Sequence, residues 1–134
     1  LRGDLPLKST ENKSGAILNF DCDGNVSTFS PELLTVNHQR FGNFSFGNVW
    51  SMVNLEEMFK SQKLFAINAE IQKGVSLCKE QCDYFALCGG GAPSNKLSEN
   101  GAFDTTETLT CRLRVKATTD IVLNYLEGRF NIET

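Results

Sequence analysis

Four cysteines of the C-terminal half stand as Cys78-x3-Cys82-x5-Cys88, with Cys111 following after a further twenty-two residues. Thiolates are the donors that soft and borderline metals and iron–sulfur clusters take. Between Cys78 and Thr110 the apolar periodicity lapses and glycine, asparagine, serine and threonine dominate, which predicts one long loop. Fixing such a backbone costs about 1–2 kcal/mol per residue. Four thiolates converging on one centre offset that cost, because binding and folding become a single equilibrium, worth about 10–16 kcal/mol for structural zinc. Cys78, Cys82, Cys88 and Cys111 are therefore the candidate ligands of one centre. Gly89-Gly90-Gly91, directly after the third of them, lets the backbone pass close to a bulky group and turn its N–H groups toward the sulfurs. No Lys-Ser or Lys-Thr follows these glycines and no clear strand precedes them, so they do not read as a phosphate loop. Structural zinc sites bring their ligands in two tight pairs. Only the first pair is tight here, and the x5 and x22 gaps favour a cubane cluster over a single ion.

The elements that must position these residues are partly visible. Ala16 to Phe20 and Val26 to Phe29 flank Asp21-Cys22-Asp23-Gly24-Asn25, and Asp-Gly between two partly alternating apolar runs predicts a β-hairpin, ended by Pro31. Gly42 to Trp50, rich in aromatics and turn formers, predicts a short extended segment laid over an apolar surface. Asn54 is placed to cap a short helix from Leu55 to Lys60, with Glu56 and Glu57 in its first turn. Leu64, Ile67, Ile71 and Val75 make one apolar stripe, predicting a helix from Lys63 to Val75 that delivers the chain to Cys78. A last helix is predicted from about Thr106 to Glu127 with Gly128 as its stop and Ile121, Val122, Tyr125 and Leu126 as its apolar face. The fold class is α+β: a small β-hairpin, then helices, then a long cysteine-rich loop.

Bulk properties exclude several roles. The 134 residues carry a net charge of −3 with 22% charged residues, which gives no basic field for nucleic acid or an anionic membrane. No apolar run approaches the roughly 18 residues of a membrane span, and the opening Leu1-Arg2-Gly3-Asp4 lacks the apolar stretch of an export signal, so the expectation is a cytoplasmic protein. Read in that compartment, Arg2-Gly3-Asp4 and the sequons at Asn12, Asn25 and Asn43 carry no adhesion or glycan function. Five cysteines, an odd number, argue against a disulfide framework. The polar segment 1–15 reads as a linker from an upstream domain, and 16–134 as the domain itself.

Three stretches together carry a family resemblance: Phe20-Asp21-Cys22-Asp23-Gly24-Asn25-Val26-Ser27-Thr28-Phe29; Cys82 to Lys96 with its Cys88-Gly89-Gly90-Gly91-Ala92-Pro93; and Glu99-Asn100-Gly101 with Thr106-Glu107-Thr108 before Cys111. From Ile17 to Glu127 the chain resembles a SPASM domain, the auxiliary-cluster domain of radical S-adenosylmethionine (SAM) enzymes that modify ribosomally made peptides. It is most similar to that of the cyclophane-forming maturases of the Grr type. The resemblance implies a [4Fe–4S] cluster on Cys78, Cys82, Cys88 and Cys111, an upstream radical SAM core as covalent partner, and a precursor peptide as substrate.

The departures from the family pattern are specific. That pattern holds two clusters, yet the Gly-x4-Cys element that starts at Gly24 ends on Phe29 in place of a cysteine, and the cysteine expected after Cys88 would fall near Ala92. No cysteine lies nine to fifteen residues upstream of Gly24. These losses all fall on the first auxiliary cluster, so the resemblance implies one cluster here, not two. The Cys78 to Cys82 gap is one residue longer than usual. Cys22 matches no ligand position and is expected to be a small half-buried thiol, with a labile or substrate-facing ligand as the alternative. The Cys-x3-Cys-x2-Cys triad that radical SAM chemistry requires is broken, because Phe85 stands in its third place; SAM and its cluster belong to the upstream domain, and this chain alone is expected to be inactive. The alternative is a non-enzymatic four-cysteine zinc module that binds a protein through Phe41 to Trp50, with His38 as a further potential ligand.

Overall fold

The computed structural model describes residues 9–130. Residues 1–8 and 131–134, and with them most of the expected linker, Arg2-Gly3-Asp4 and the last residues of the domain, lie outside the described residues. The predicted hairpin is present as β1 (Leu18–Phe20) and β2 (Asn25–Thr28), antiparallel with Leu18 opposite Thr28 and Phe20 opposite Val26. Its turn is fixed by the Asp21 carboxylate, which accepts the N–H groups of Asp23 and Asn25 at 3.0 and 2.9 Å. The aromatic segment supplies the short strands that complete two small sheets. β3 (Asn37–His38) pairs with β4 (Gly42–Asn43), and β5 (Gly47–Asn48) pairs antiparallel with β2 to give the order β1-β2-β5. Helices follow the sheets, so the class is α+β, as expected.

One core joins the two halves. Val26, Phe29 and Leu33 from the hairpin region, Phe44 and Phe46 from the aromatic segment, and Met58 pack with Leu64, Ile67 and Ile71 of helix α1 (Gln62–Gln81) and with Leu97 and Phe103. Phe103 meets Phe44 edge to face at 5.8 Å and Phe41 at 5.2 Å, the spacing at which aromatic pairs add to simple area burial. Trp50, by contrast, is 86% exposed, so only part of the aromatic segment covers the core.

Four expectations are corrected. Residues Leu55–Lys60 form a 3₁₀ helix without a side-chain cap from Asn54; instead the Glu57 carboxylate accepts the N–H of Val53 at 3.1 Å. The stretch from Cys78 to Thr110 is not one loop: α1 runs on to Gln81, α2 spans Phe85–Cys88 and α3 spans Pro93–Asn100. Helix α3 begins on a proline, whose missing N–H has no partner to lose there, and ends on Gly101 at φ 77°. At eight residues it is too short to show a repeating stripe, and only Pro93, Lys96 and Leu97 are buried. Third, Gly128 does not stop the last helix. The chain runs from α4 (Leu109–Cys111) through a π-helical stretch (Arg112–Ala117) into α5 (Thr118–Phe130). Ile121, Val122, Tyr125 and Leu126 do lie on this helix, yet all are exposed among the described residues. Finally, Cys22 is exposed, not half-buried, because it sits at the tip of the hairpin turn. Among the described residues no helix is long and apolar enough to cross a membrane.

Candidate metal centre

Each candidate cysteine is set by a different local rule. Cys78 continues the buried stripe of α1, through Leu64, Ile67, Ile71 and Gly74, and is itself 8% exposed. Cys82 follows one helical turn later, as the C-cap whose N–H is donated to the Cys78 carbonyl at 3.0 Å. The x3 gap is therefore the i, i+4 spacing that stacks two side chains on one helix face. Cys88 ends α2, and the chain then turns away through Gly89, Gly90 and Gly91 at φ 65°, 101° and 74°, a run of left-handed conformations that no other residue type adopts cheaply.

Cys111 is placed by the two motifs that precede it. The Glu99 carboxylate accepts the Leu109 N–H, the Thr110 N–H at 3.3 Å and the Thr110 hydroxyl at 2.6 Å, and so caps the helix that carries Cys111. Asn100 donates to the Glu107 carbonyl and to the Thr105 hydroxyl, both at 3.0 Å. The Thr108 hydroxyl accepts the Cys111 N–H at 3.1 Å. The Thr110 hydroxyl first, and then the Leu109 and Thr110 N–H groups, hold the Glu99 carboxyl below its ordinary range.

All four cysteines line one cavity of about 430 Å³, although thirty-three positions separate the first from the last. Cys22 and His38 do not line it; the His38 ring lies against Phe41, with Nδ1 accepting the Arg40 N–H at 3.2 Å. Burial pushes the Cys111 thiol up, and the nearby thiols of Cys88 and Cys82 act in the same direction, against the Thr108 N–H and Lys116. Among the described residues, no three His, Cys, Asp or Glu side chains converge tightly enough to hold a single metal ion. A tetrahedral zinc at about 2.3 Å from each sulfur would need all four sulfurs within roughly 4 Å of one another. Four thiols on one cavity are donors that a zinc ion or an iron–sulfur cluster could take.

Residues that line the cavity, or bond to those that do, have roles that the amino acids alone do not show. Asn12, 4% exposed, donates to the carbonyls of Gly89 and Gly91 at 2.9 and 3.1 Å, while its own carbonyl accepts from Gln72 of α1 at 2.7 Å. It pins the glycine run to the helix that bears Cys78. Nothing in the polar segment around Asn12 announces this contact. Lys96, 5% exposed, donates from Nζ to the Cys78 sulfur at 3.3 Å. No local pattern marks it, since on the eight residues of α3 only Pro93, Lys96 and Leu97 are buried. Lys116, also on the cavity, pairs with Glu107 at 3.0 Å and lies 5.8 Å from the centre of the Tyr84 ring, while the Tyr84 hydroxyl is hydrogen-bonded to Asp120, so the last helix is tied to the Cys82–Cys88 segment. The π-helical stretch that carries Lys116 begins immediately after Cys111, and π insertions concentrate at functional sites.

The two positions where the resemblance calls for further cysteines hold other side chains. Phe29 is fully buried in the core and adopts φ 71°, among the described residues the only non-glycine with positive φ. Its neighbour Ser30 accepts the N–H of Ser94 at 3.3 Å, two residues beyond Ala92, so the two positions lie close together in the fold.

The chain is 44% identical over 116 residues to an uncharacterised protein of the cyanobacterium Synechocystis sp.. The match takes in 87% of this chain but spans only 29% of that relative's length. No family model and no solved structure matches the chain.

Proposed function

We propose that this chain is a SPASM-like auxiliary-cluster domain, that Cys78, Cys82, Cys88 and Cys111 hold one [4Fe–4S] cluster, and that the domain serves a radical SAM enzyme modifying a precursor peptide. The observation that carries the reading is the meeting of four thiols, delivered by three separate helical segments, on one cavity of about 430 Å³. A four-thiolate cluster would supply an electron acceptor, or a fixed frame against which the peptide is positioned. The protein's own residues do the rest. Asn12 and the glycine run hold Cys88, Glu99 and Thr108 hold Cys111, and the α1 stripe holds Cys78. Four protein ligands leave no iron open to substrate, which favours electron transfer or positioning over direct coordination. The buried Phe29 beside the Ser30–Ser94 contact supports one centre and not two, because an aromatic ring fills a place the resemblance gives to a ligand.

The test is anaerobic reconstitution of the chain followed by iron, sulfide and zinc analysis. About four irons and four sulfides per chain are expected. Zinc alone would overturn the reading in favour of the zinc module, and eight irons would overturn the assignment of Phe29 and Ala92.

A further inference from the structure

Among the described residues Lys96 is the one buried cation that lines the cavity. Its side chain leaves α3 and ends 3.3 Å from the Cys78 sulfur, which itself lies 4.0 Å from the Gly90 carbonyl. Space for the head group is left by Gly74: a Cβ added there would stand 2.2 Å from the Phe103 carbonyl oxygen and 3.2 Å from Lys96 Nζ. The two carboxylates on the same cavity are engaged elsewhere. Glu11 accepts from the Ser30 hydroxyl at 3.1 Å, and Glu107 is paired with Arg112 at 3.2 Å and Lys116 at 3.0 Å. Among the described residues the Cys78 sulfur is the hydrogen-bond partner of Nζ. A buried ammonium facing a neutral thiol alone is costly, whereas the same ammonium facing an anionic thiolate centre is compensated.

From this geometry we propose that Lys96 is the built-in counter-charge of the centre, donating to the Cys78 ligand sulfur and raising the reduction potential of the bound cluster. The inference rests on the four-cysteine reading above. Net charge and hydrogen bonds to ligand sulfurs are among the levers that set such potentials. A positive charge and an N–H donor at one sulfur stabilise the more negative, reduced form. Lys96 acts through Cys78, so it is a positioning and tuning residue, not a catalytic one.

The experiment compares the reconstituted wild-type chain with Lys96→Met, which keeps the length of the side chain without charge or donor, and Lys96→Gln, which keeps a neutral donor. Lys60→Met, an exposed lysine outside the cavity, serves as control. Iron and sulfide are counted, and the midpoint is read by anaerobic titration with dithionite, whose S–S bond breaks to give two SO2 radical anions, each passing one electron to a cluster and taking it from the 2+ to the 1+ state with the Fe–S bonds intact. The expected order of potentials is wild type highest, Lys96→Gln intermediate and Lys96→Met lowest, with Lys60→Met equal to wild type and iron unchanged throughout. Full iron with an unmoved midpoint in Lys96→Met overturns the role of Lys96 and leaves the four-cysteine reading intact. Loss of iron from both Lys96 variants, with wild-type thermal stability of the metal-free proteins, overturns it too, since the lysine would then hold the centre and not tune it. A wild-type chain that takes up no iron overturns both readings together.

Discussion

Replacing Asn12 by alanine should loosen the glycine run that carries Cys88 away from the helix that carries Cys78. The Asn12 amide donates to two backbone carbonyls, Gly89 at 2.9 Å and Gly91 at 3.1 Å, and a methyl group replaces neither bond. At about 1 kcal/mol net for each lost hydrogen bond, the change costs about 2 kcal/mol, more if the freed carbonyls find no water. For a chain of this size about 1 kcal/mol moves the thermal midpoint by about 4 °C, so a fall of about 8 °C is expected. Asn12→Asp should cost more, because carboxylate oxygens would then face the two carbonyl oxygens. The effect should also be local. Gly89, Gly90 and Gly91 have the largest conformational freedom to regain, so the metal-free variant should alkylate at Cys88 faster, with Cys22 unchanged as the internal reference. The assay is a thermal melt paired with mass-resolved alkylation of the metal-free chain. A midpoint within about 2 °C of wild type, with an unaltered Cys88 rate, would refute the claim that Asn12 holds the glycine run in place.

Serine replacements of the cysteines should divide into two groups: Cys78, Cys82, Cys88 and Cys111 each lower iron occupancy and visible absorption and open the segment between them to protease, whereas Cys22→Ser, at an exposed hairpin tip, changes neither and stays within about 0.5 kcal/mol of wild type. Bleaching by Cys22→Ser with any one of the other four silent would refute the ligand set. The Glu99 cap should show in the pH dependence of stability. Its folded-state carboxyl lies below the ordinary value of 4.5, so its contribution is present above that value and is lost as the pH falls through the folded one. The difference in thermal midpoint between wild type and Glu99→Gln should therefore be steady from pH 7 to 5 and shrink below about pH 4; a difference that stays constant down to pH 3 would mean that the carboxylate does not cap the Cys111 helix.

Local rules made part of this protein legible in its amino acids. The hairpin follows from Asp-Gly between apolar runs, because the turn is closed by neighbours in the chain, the Asp21 carboxylate bonding to residues two and four positions on. The stripe Leu64, Ile67, Ile71 is visible because a helix repeats its buried face, and the type and spacing of the four cysteines single them out without any fold at all. Tertiary structure decided what depends on distant partners. Helix α3 escaped notice because its buried face holds only Pro93, Lys96 and Leu97, one of them a lysine that belongs there only because Gly74 and Cys78 make a place for its head. Asn12 looks like a residue of a polar tail until the glycine run, seventy-seven positions later, offers its carbonyls. The apolar residues of the last helix show the converse: the periodic pattern marks a face, but whether that face meets the core is decided by where the helix leaves the cavity, and here Ile121 and Tyr125 remain exposed. Spacing named the four thiols; only the packing of α1, the glycine run and the Glu99-capped helix brings them around one volume, because convergence in space depends on contacts between segments that no local pattern records.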